Sequence, residues 1–318
     1  MIPNANTSSA DSTVQQRYAQ SEVPQENQGK ADTKQADSSL PAARLHARQK
    51  SEASIEWQQS AAGFHLSEER TGDSAVSSQQ GSEPKTKVSD SEPLSLGEAV
   101  FAGDIHAIHS LIAAGASVNG TDYDGNTWLH LACTRTSAET LRALLSLGAD
   151  VNHADDNGRT ALHFAVEFGS VDMIRILLEF GADINRQTHG GRTALHFACE
   201  SGSAQMIRTL LDSGADVNHQ TKGGRTPLHF AARNGNGEAT EVLLNRGADL
   251  TIRDKLRSTP LHHAAQSGNV EAITILLKKH PAIIDWRDKA GLTALDWAGT
   301  RKQVQAIELL MSNGADPN

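Results

Sequence analysis

Histidine is the residue type that most invites a chemical reading of this chain, with 14 in 318 residues. An imidazole can ligate zinc, shuttle a proton or activate a serine hydroxyl. Five of the fourteen, His130, His163, His196, His229 and His262, stand 33 residues apart. The two thiols, Cys133 and Cys199, are too few for a disulfide framework. The sequence contains no HEXXH helix, paired CxxC, nucleophile elbow or Walker loop, and its many Ser, His and Asp residues recur in step with one another. A fixed period of this length explains the histidines as parts of a repeating structure. We therefore expect no catalytic residue, no metal site and no cofactor.

Two glycine series keep the same step: Gly115, Gly148, Gly181, Gly214 and Gly247, each opening a Gly-Ala pair, and Gly125, Gly158, Gly191 and Gly224. The last step lengthens to 34, from the position of His280 to Gly314, which places one inserted residue near KKHPAIID. Within DNGRTALHFAVEFGSVDMIRILLEFGADIN the apolar residues have helical spacing on either side of a glycine. Thr160 is placed to cap a first helix with Ala161, Leu162, Phe164 and Ala165 on its buried side, and Gly169 ends it. Val171, Ile174, Leu177 and Leu178 line a second helix, and Gly181 stops it in a left-handed cap. The Asp-Ile-Asn and Asp-Asn-Gly stretches supply turn chemistry for a projecting hairpin loop. One such unit cannot bury its own faces, whereas stacked units can.

Stacking also answers the chemical question. Neighbouring helices lie roughly 8–10 Å apart, while zinc needs nitrogens about 2 Å away, so the in-register histidines cannot share an ion. Each is expected to hydrogen-bond the turn at the start of its own helix and to tie adjacent units together. Cys133 and Cys199, two units apart, are expected in the core at a separation on the order of 20 Å, beyond the roughly 7 Å that a disulfide spans. The series Phe164, Phe197 and Phe230 reads as a core ladder.

TALHFA at Thr160 and Thr193, TPLHFA at Thr226 and TPLHHA at Thr259 resemble the T-P-L-H-x-A signature of the ankyrin repeat. GADVN at Gly148 and Gly214 resembles its helix-end loop. The resemblance implies an all-α solenoid of stacked helix-turn-helix units with projecting hairpin fingers and a concave protein-binding face. It covers residues 94–318 as seven repeats, 94–121, 122–154, 155–187, 188–220, 221–253, 254–287 and 288–318. The first, LSLGEAVFAGD, lacks the signature, as a terminal unit facing solvent would. Trp128 replaces the usual proline, Arg257 the loop glycine and Asp296 the last histidine. The resemblance also points to Asn152, Asn185 and Asn218 as asparagines of the kind that hydroxylases modify.

Function has to be sought at positions the repeat leaves free. In the first helix, following the second Ala, these include Phe101, Thr134, Arg135, Glu167, Phe168, Glu200 and Arg233. On the fingers, Asp122, Tyr123, Asp124, Asp155 and Asp156 make the N-terminal half acidic and aromatic. Lys222, Arg225, Arg253, Lys255, Arg257 and Lys289 make the C-terminal half basic. Such a polarity would fix the direction of an extended partner. We expect partner binding by Phe101, Tyr123, Asp124, Arg135, Asp156, Glu167, Phe168, Glu200 and Arg233, centred on Tyr123 and Phe168.

Residues 1–93 are dominated by Ser, Gln, Glu, Ala and Thr, with few large apolar side chains, and are expected to be disordered. The SEP triplets at Ser82 and Ser91, with the SDSE around Ser89, are accessible phosphorylation candidates in such a segment. The net charge of −9 argues against nucleic acid as the partner. No run of about 20 apolar residues and no apolar leader segment occurs, so membrane insertion is not expected and the reading is intracellular, cytoplasmic or nuclear. The function expected is a non-enzymatic scaffold or adaptor for a protein partner, monomeric alone, with a regulatory or inhibitory subunit of an enzyme as the alternative.

Overall fold

A computed structural model describes residues 94–135, 137–168 and 170–317, and the side chain of Arg135 is not among what it describes. The expected disorder of residues 1–93 and the terminating role of Gly169 lie outside the described residues. Among those residues the architecture is all-helical, fourteen α-helices in consecutive pairs. The pairs are α1 Leu96–Ala102 with α2 Ile105–Ala113, α3 Trp128–Arg135 with α4 Ala138–Ser146, and α5 Ala161–Glu167 with α6 Val171–Glu179. They continue with α7 Ala194–Ser201 and α8 Ala204–Asp212, α9 Pro227–Asn234 and α10 Gly237–Asn245, α11 Pro260–Ser267 and α12 Val270–Lys279, and α13 Ala294–Thr300 and α14 Val304–Ser312.

Capping chemistry sets most of these boundaries. The second helices start after Asp104, Ser137, Ser170, Ser203, Asn236 and Asn269, each of whose side chains accepts from a backbone N–H of the first turn. Ser95 and Glu98 form a reciprocal capping box on α1. Gly181 follows the last residues of α6 at φ 86°, the left-handed conformation expected of it. The inserted residue near KKHPAIID falls where α12 runs to Lys279 and a single 3-10 turn, Pro281–Ile283, replaces the glycine turn used elsewhere.

First helices pack on first helices and second on second, and the first-helix row makes the closer approach, so that side is the inner one. Its closeness is permitted by fully buried alanines at Ala132, Ala165, Ala198, Ala231, Ala264 and Ala298. Behind them Leu162, Leu195, Leu228, Ile174, Leu177, Ile207, Leu210 and Leu243 are sealed from solvent. Each such side chain contributes about 1.5–3 kcal/mol of burial, less than a backbone and side-chain ordering cost distributed over the whole unit, so a pair is stable through its neighbours.

The departures from the signature have local reasons. Trp128 is buried, its indole N–H donates to the Ser117 carbonyl at 3.1 Å, and its ring closes on α1 at Gly97. A Cβ added at Gly97 would meet that ring at 2.9 Å. Arg257 stands at φ 59°, the conformation glycine takes in the equivalent loops. Asp296 accepts from the Thr293 backbone N–H at 2.8 Å and so makes the own-turn bond the histidines make.

Candidate interaction surface

The hairpin fingers at residues 122–127, 155–160, 188–193, 221–226, 254–259 and 288–293 project beside the first helices, and the residue that opens each one organises it. Asp122, Asp155, Asp254 and Asp288 use Oδ1 to accept the N–H groups two and four residues ahead, at 2.7–2.9 Å. Their second oxygen accepts from Asn126 Nδ2, Arg159 Nε, His263 Nε2 and Trp297 Nε1 respectively. Thr188 and Thr221 open the other two fingers and accept only the N–H four residues ahead, each at 3.2 Å. Successive tips are joined by a backbone bond, for instance His189 N–H to the Asn157 carbonyl at 2.9 Å and Lys222 N–H to the Gly190 carbonyl at 3.0 Å. Gly191 is confined by this approach as well as by its φ of 78°, since an added Cβ would lie 2.6 Å from Lys222 N.

Beneath the fingers runs the histidine ladder. Nδ1 of His130, His163, His196, His229 and His262 accepts the backbone N–H of the threonine three residues earlier, at 3.1–3.2 Å, beside that threonine's hydroxyl. Nε2–H donates to a carbonyl of the next unit, Arg159, Arg192, Arg225, Ser258 and Leu292 in turn, at 3.2–3.4 Å. These are the own-turn and inter-unit bonds expected from the spacing. Burial pushes His130 and His163 down to about 4 and His196 and His229 to about 3, and lowers His262 too, because a second proton would have to sit on Nδ1 facing an N–H. Neutral imidazole is thus the structural form. Among the described residues no group of three His, Cys, Asp or Glu side chains converges as metal ligands. Cys133 and Cys199 are buried free thiols whose ionisation burial pushes up.

The asparagine series is also committed. The amides of Asn152 and Asn218 each donate to a glycine carbonyl and accept a backbone N–H one unit further on. Asn185 accepts from Asp216 N–H in the same way. A modifying enzyme would have to open these bonds.

The expected site residues divide into exposed and engaged groups. Tyr123 is 82% exposed at its finger tip, and Asp124, Asp156, Glu200, Arg233 and Phe101 are exposed as well. Asp155 departs from the expectation of an acidic tip: it is buried under the turn it organises and paired with Arg159. Asp122 is likewise occupied by its own turn. Glu167 lies 3.6 Å from Arg159, and Glu200 pairs with Arg192. Phe168 is half-buried, caps α5 and stacks on Phe164 with centroids 6.3 Å apart. The phenylalanine ladder is less interior than expected. Phe164 is buried, but Phe197 and Phe230 are only partly so, and guanidinium groups lie over them. Arg159 is 4.4 Å from the Phe164 centroid, while Arg192 is 4.0 Å from Phe197 and 4.9 Å from Phe230.

One concavity of about 330 Å³ opens between the fingers, lined by Gly190, Arg192, Thr221, Gly223, Arg225, Phe230, Asp254, Lys255 and Leu256. Of these, Arg192, Phe230 and Leu256 were not legible as surface residues. The available signal was the pair of Thr-x-Gly-Gly-Arg tips in place of Asp-x-x-Gly.

The family model for ankyrin repeats (3 copies) matches residues 96–188, 184–254 and 247–318. The chain belongs to the ankyrin-repeat family. The crystal structure of the human ASB11 ankyrin repeat domain is similar over 70% of this chain and 99% of that one, with a TM-score of 0.62 and 32% identity. The potassium channel SKOR of Arabidopsis thaliana is 52% identical over 42 residues, 13% of this chain but 5% of the channel. The ankyrin repeats here thus match a small part of that channel. Ankyrin repeats are in general protein-interaction modules and in general not catalytic. Among the described residues no helix is long and apolar enough to cross a membrane.

Proposed function

We propose that this chain is a non-enzymatic scaffold or adaptor that holds a protein partner along the finger and first-helix side of its ankyrin repeats. Residues 94–318 are the binding unit in this reading, and residues 1–93 supply a second, regulated attachment. One observation carries it: Tyr123 is 82% exposed at a finger tip, next to exposed Asp124 and one finger from exposed Asp156. A rigidly mounted aromatic buries much area on binding at small rotamer cost. The partner site spans Phe101, Tyr123, Asp124, Arg135, Asp156, Glu167 and Phe168, with Glu200 and Arg233 at its far side. The acidic tips favour a basic partner and act chiefly on the rate of encounter.

Affinity capture with the full chain, followed by mass spectrometry, tests this. Wild-type protein should retain a discrete partner that Tyr123→Ala loses, by about 2 kcal/mol if the ring is a hot spot, with the melting temperature unchanged. Equal capture by wild type and variant would remove Tyr123 from the site. An enzyme dominating the retained fraction would turn the scaffold into an inhibitory subunit.

A further inference from the structure

We infer that the concavity between the fingers at 188–193, 221–226 and 254–259 binds a short acidic peptide segment carrying one large apolar side chain. The inference rests on the protein-interaction reading above and gives it a second site with its own chemistry.

The cleft exists because of small residues at the tips. At the third finger position Asp124 and Asn157 are followed by Gly190 and Gly223, and then by Leu256, which is 52% exposed. Two bare backbone tips beside a standing leucine leave a recess with an apolar wall, and the partly exposed ring of Phe230 supplies a second apolar surface. The volume falls within the range of pockets that hold a few side chains.

Its charge follows from the opening residue of each finger. In the finger at 155–160 the carboxylate of Asp155 takes the arginine of its own turn. Thr188 and Thr221 offer no carboxylate, so Arg192 and Arg225 pair outside their own turns, with Glu200 and Asp254. Arg192 lies against Phe197 and Phe230, with its Nε buried and unpartnered. This stacking holds the guanidinium plane in place with one nitrogen on the Glu200 carboxylate, so the arginine is a fixed donor rather than an unpaired charge. Lys255 lines the recess, and exposed Lys222 and Arg257 stand on the same tips. The two acids nearby are already engaged. Asp254 accepts from His263 and from two backbone N–H groups and lies 3.6 Å from Arg225. Glu200 pairs with Arg192 at the outer side. An acidic segment therefore meets the unbalanced positive charge of Lys222, Lys255 and Arg257. A nucleic-acid strand, the other polyanion, would need a continuous basic track, and the tips at Asp124 and Asp156 interrupt it.

Panning a displayed library of short random peptides against the full chain should enrich sequences in which several Asp or Glu flank one Leu, Ile, Met or Phe. A labelled peptide from that set should bind about tenfold more weakly to Lys255→Glu and to Lys222→Glu, lose affinity with Leu256→Ser, and bind Tyr123→Ala as it binds wild type. All three cleft positions are exposed, so melting temperatures should match the wild type and exclude misfolding. Enrichment without acidic bias, binding that survives both charge reversals, or preferential binding of an oligouridine probe would each overturn the proposal. Peptides lost with Tyr123→Ala but kept by Lys255→Glu would leave the partner-binding reading standing and remove the cleft. No enrichment at all, together with no captured partner, would remove both.

Discussion

The finger at 155–160 and the finger at 188–193 make the same turn with different opening residues, and their surroundings differ accordingly. Asp155 satisfies two backbone N–H groups and holds Arg159 inside the finger, so the acid is buried and the base is spent. Thr188 satisfies one N–H group and holds no arginine; Arg192, like Arg159, lies over a phenylalanine ring, and a recess opens beside it. The difference in the opening residue thus changes the arginine's main partner from Asp155 to Glu200 while its exposure stays about the same, 29% against 26%. The acidic, aromatic character of the early fingers comes from the exposed tip residues Tyr123, Asp124 and Asp156, and the basic, apolar character of the later ones from exposed Lys222, Lys255 and Leu256.

The largest expected effect falls on what both kinds of finger share, the histidine ladder. His130, His163, His196 and His229 have folded-state values near 3 to 4, below the ordinary value of about 6.5, and His262 is lowered in the same direction. Their unfolded forms therefore take up protons first as pH falls. The stabilisation they give is complete above about pH 6.5 and is lost below it, by up to about 1.4 kcal/mol per pH unit for each histidine. Asp254, for which burial opposes and the His263 hydrogen bond more than offsets the cost of charge, is lowered to about 2 and adds a loss of the same sign at still lower pH. Denaturant midpoints should drop in growing steps between pH 7 and pH 5. Midpoints flat over that range would show that the ladder is not held neutral.

Removing one rung is the next largest change. His196→Ala deletes an acceptor for Thr193 N–H and a donor to the Arg225 carbonyl, and should cost about 2–3 kcal/mol. Asp296→Ala, at the last unit, deletes only an own-turn bond and should cost about 1 kcal/mol. Equal costs, measured by urea unfolding, would mean that the inter-unit bond contributes nothing.

The fingers themselves can be set against each other directly. Asp155→Ala should destabilise by about 2 kcal/mol because two N–H groups lose their partner, whereas Thr188→Ala should cost about 1 kcal/mol or less. Thr188→Asp should draw Arg192 back into its own turn and weaken binding in the neighbouring cleft without lowering stability. If the two alanine variants unfold alike, the opening residue is not what separates the two regions.

The smallest effect belongs to Arg257, a non-glycine residue held at φ 59°. Arg257→Gly should relieve about 1 kcal/mol of backbone strain. A thermal melt moving down instead of up would assign that side chain a compensating contact.

The helix pairs, the caps and the own-turn histidine bonds could be read from residue order because each depends on groups three or four positions apart, and the inter-unit bonds because the 33-residue step brings each unit into register with the next. That Cys133 and Cys199 are interior follows from the same register. Whether a polar side chain is spent or available was decided by the tertiary structure. Asp155 reads as an acidic tip and is buried; Phe168 reads as exposed and half-packs on Phe164; Phe230 reads as core and faces a cleft. Each outcome depends on which side chain arrives from the neighbouring unit or folds back across the turn, and a periodic sequence places every unit alike until those neighbours differ.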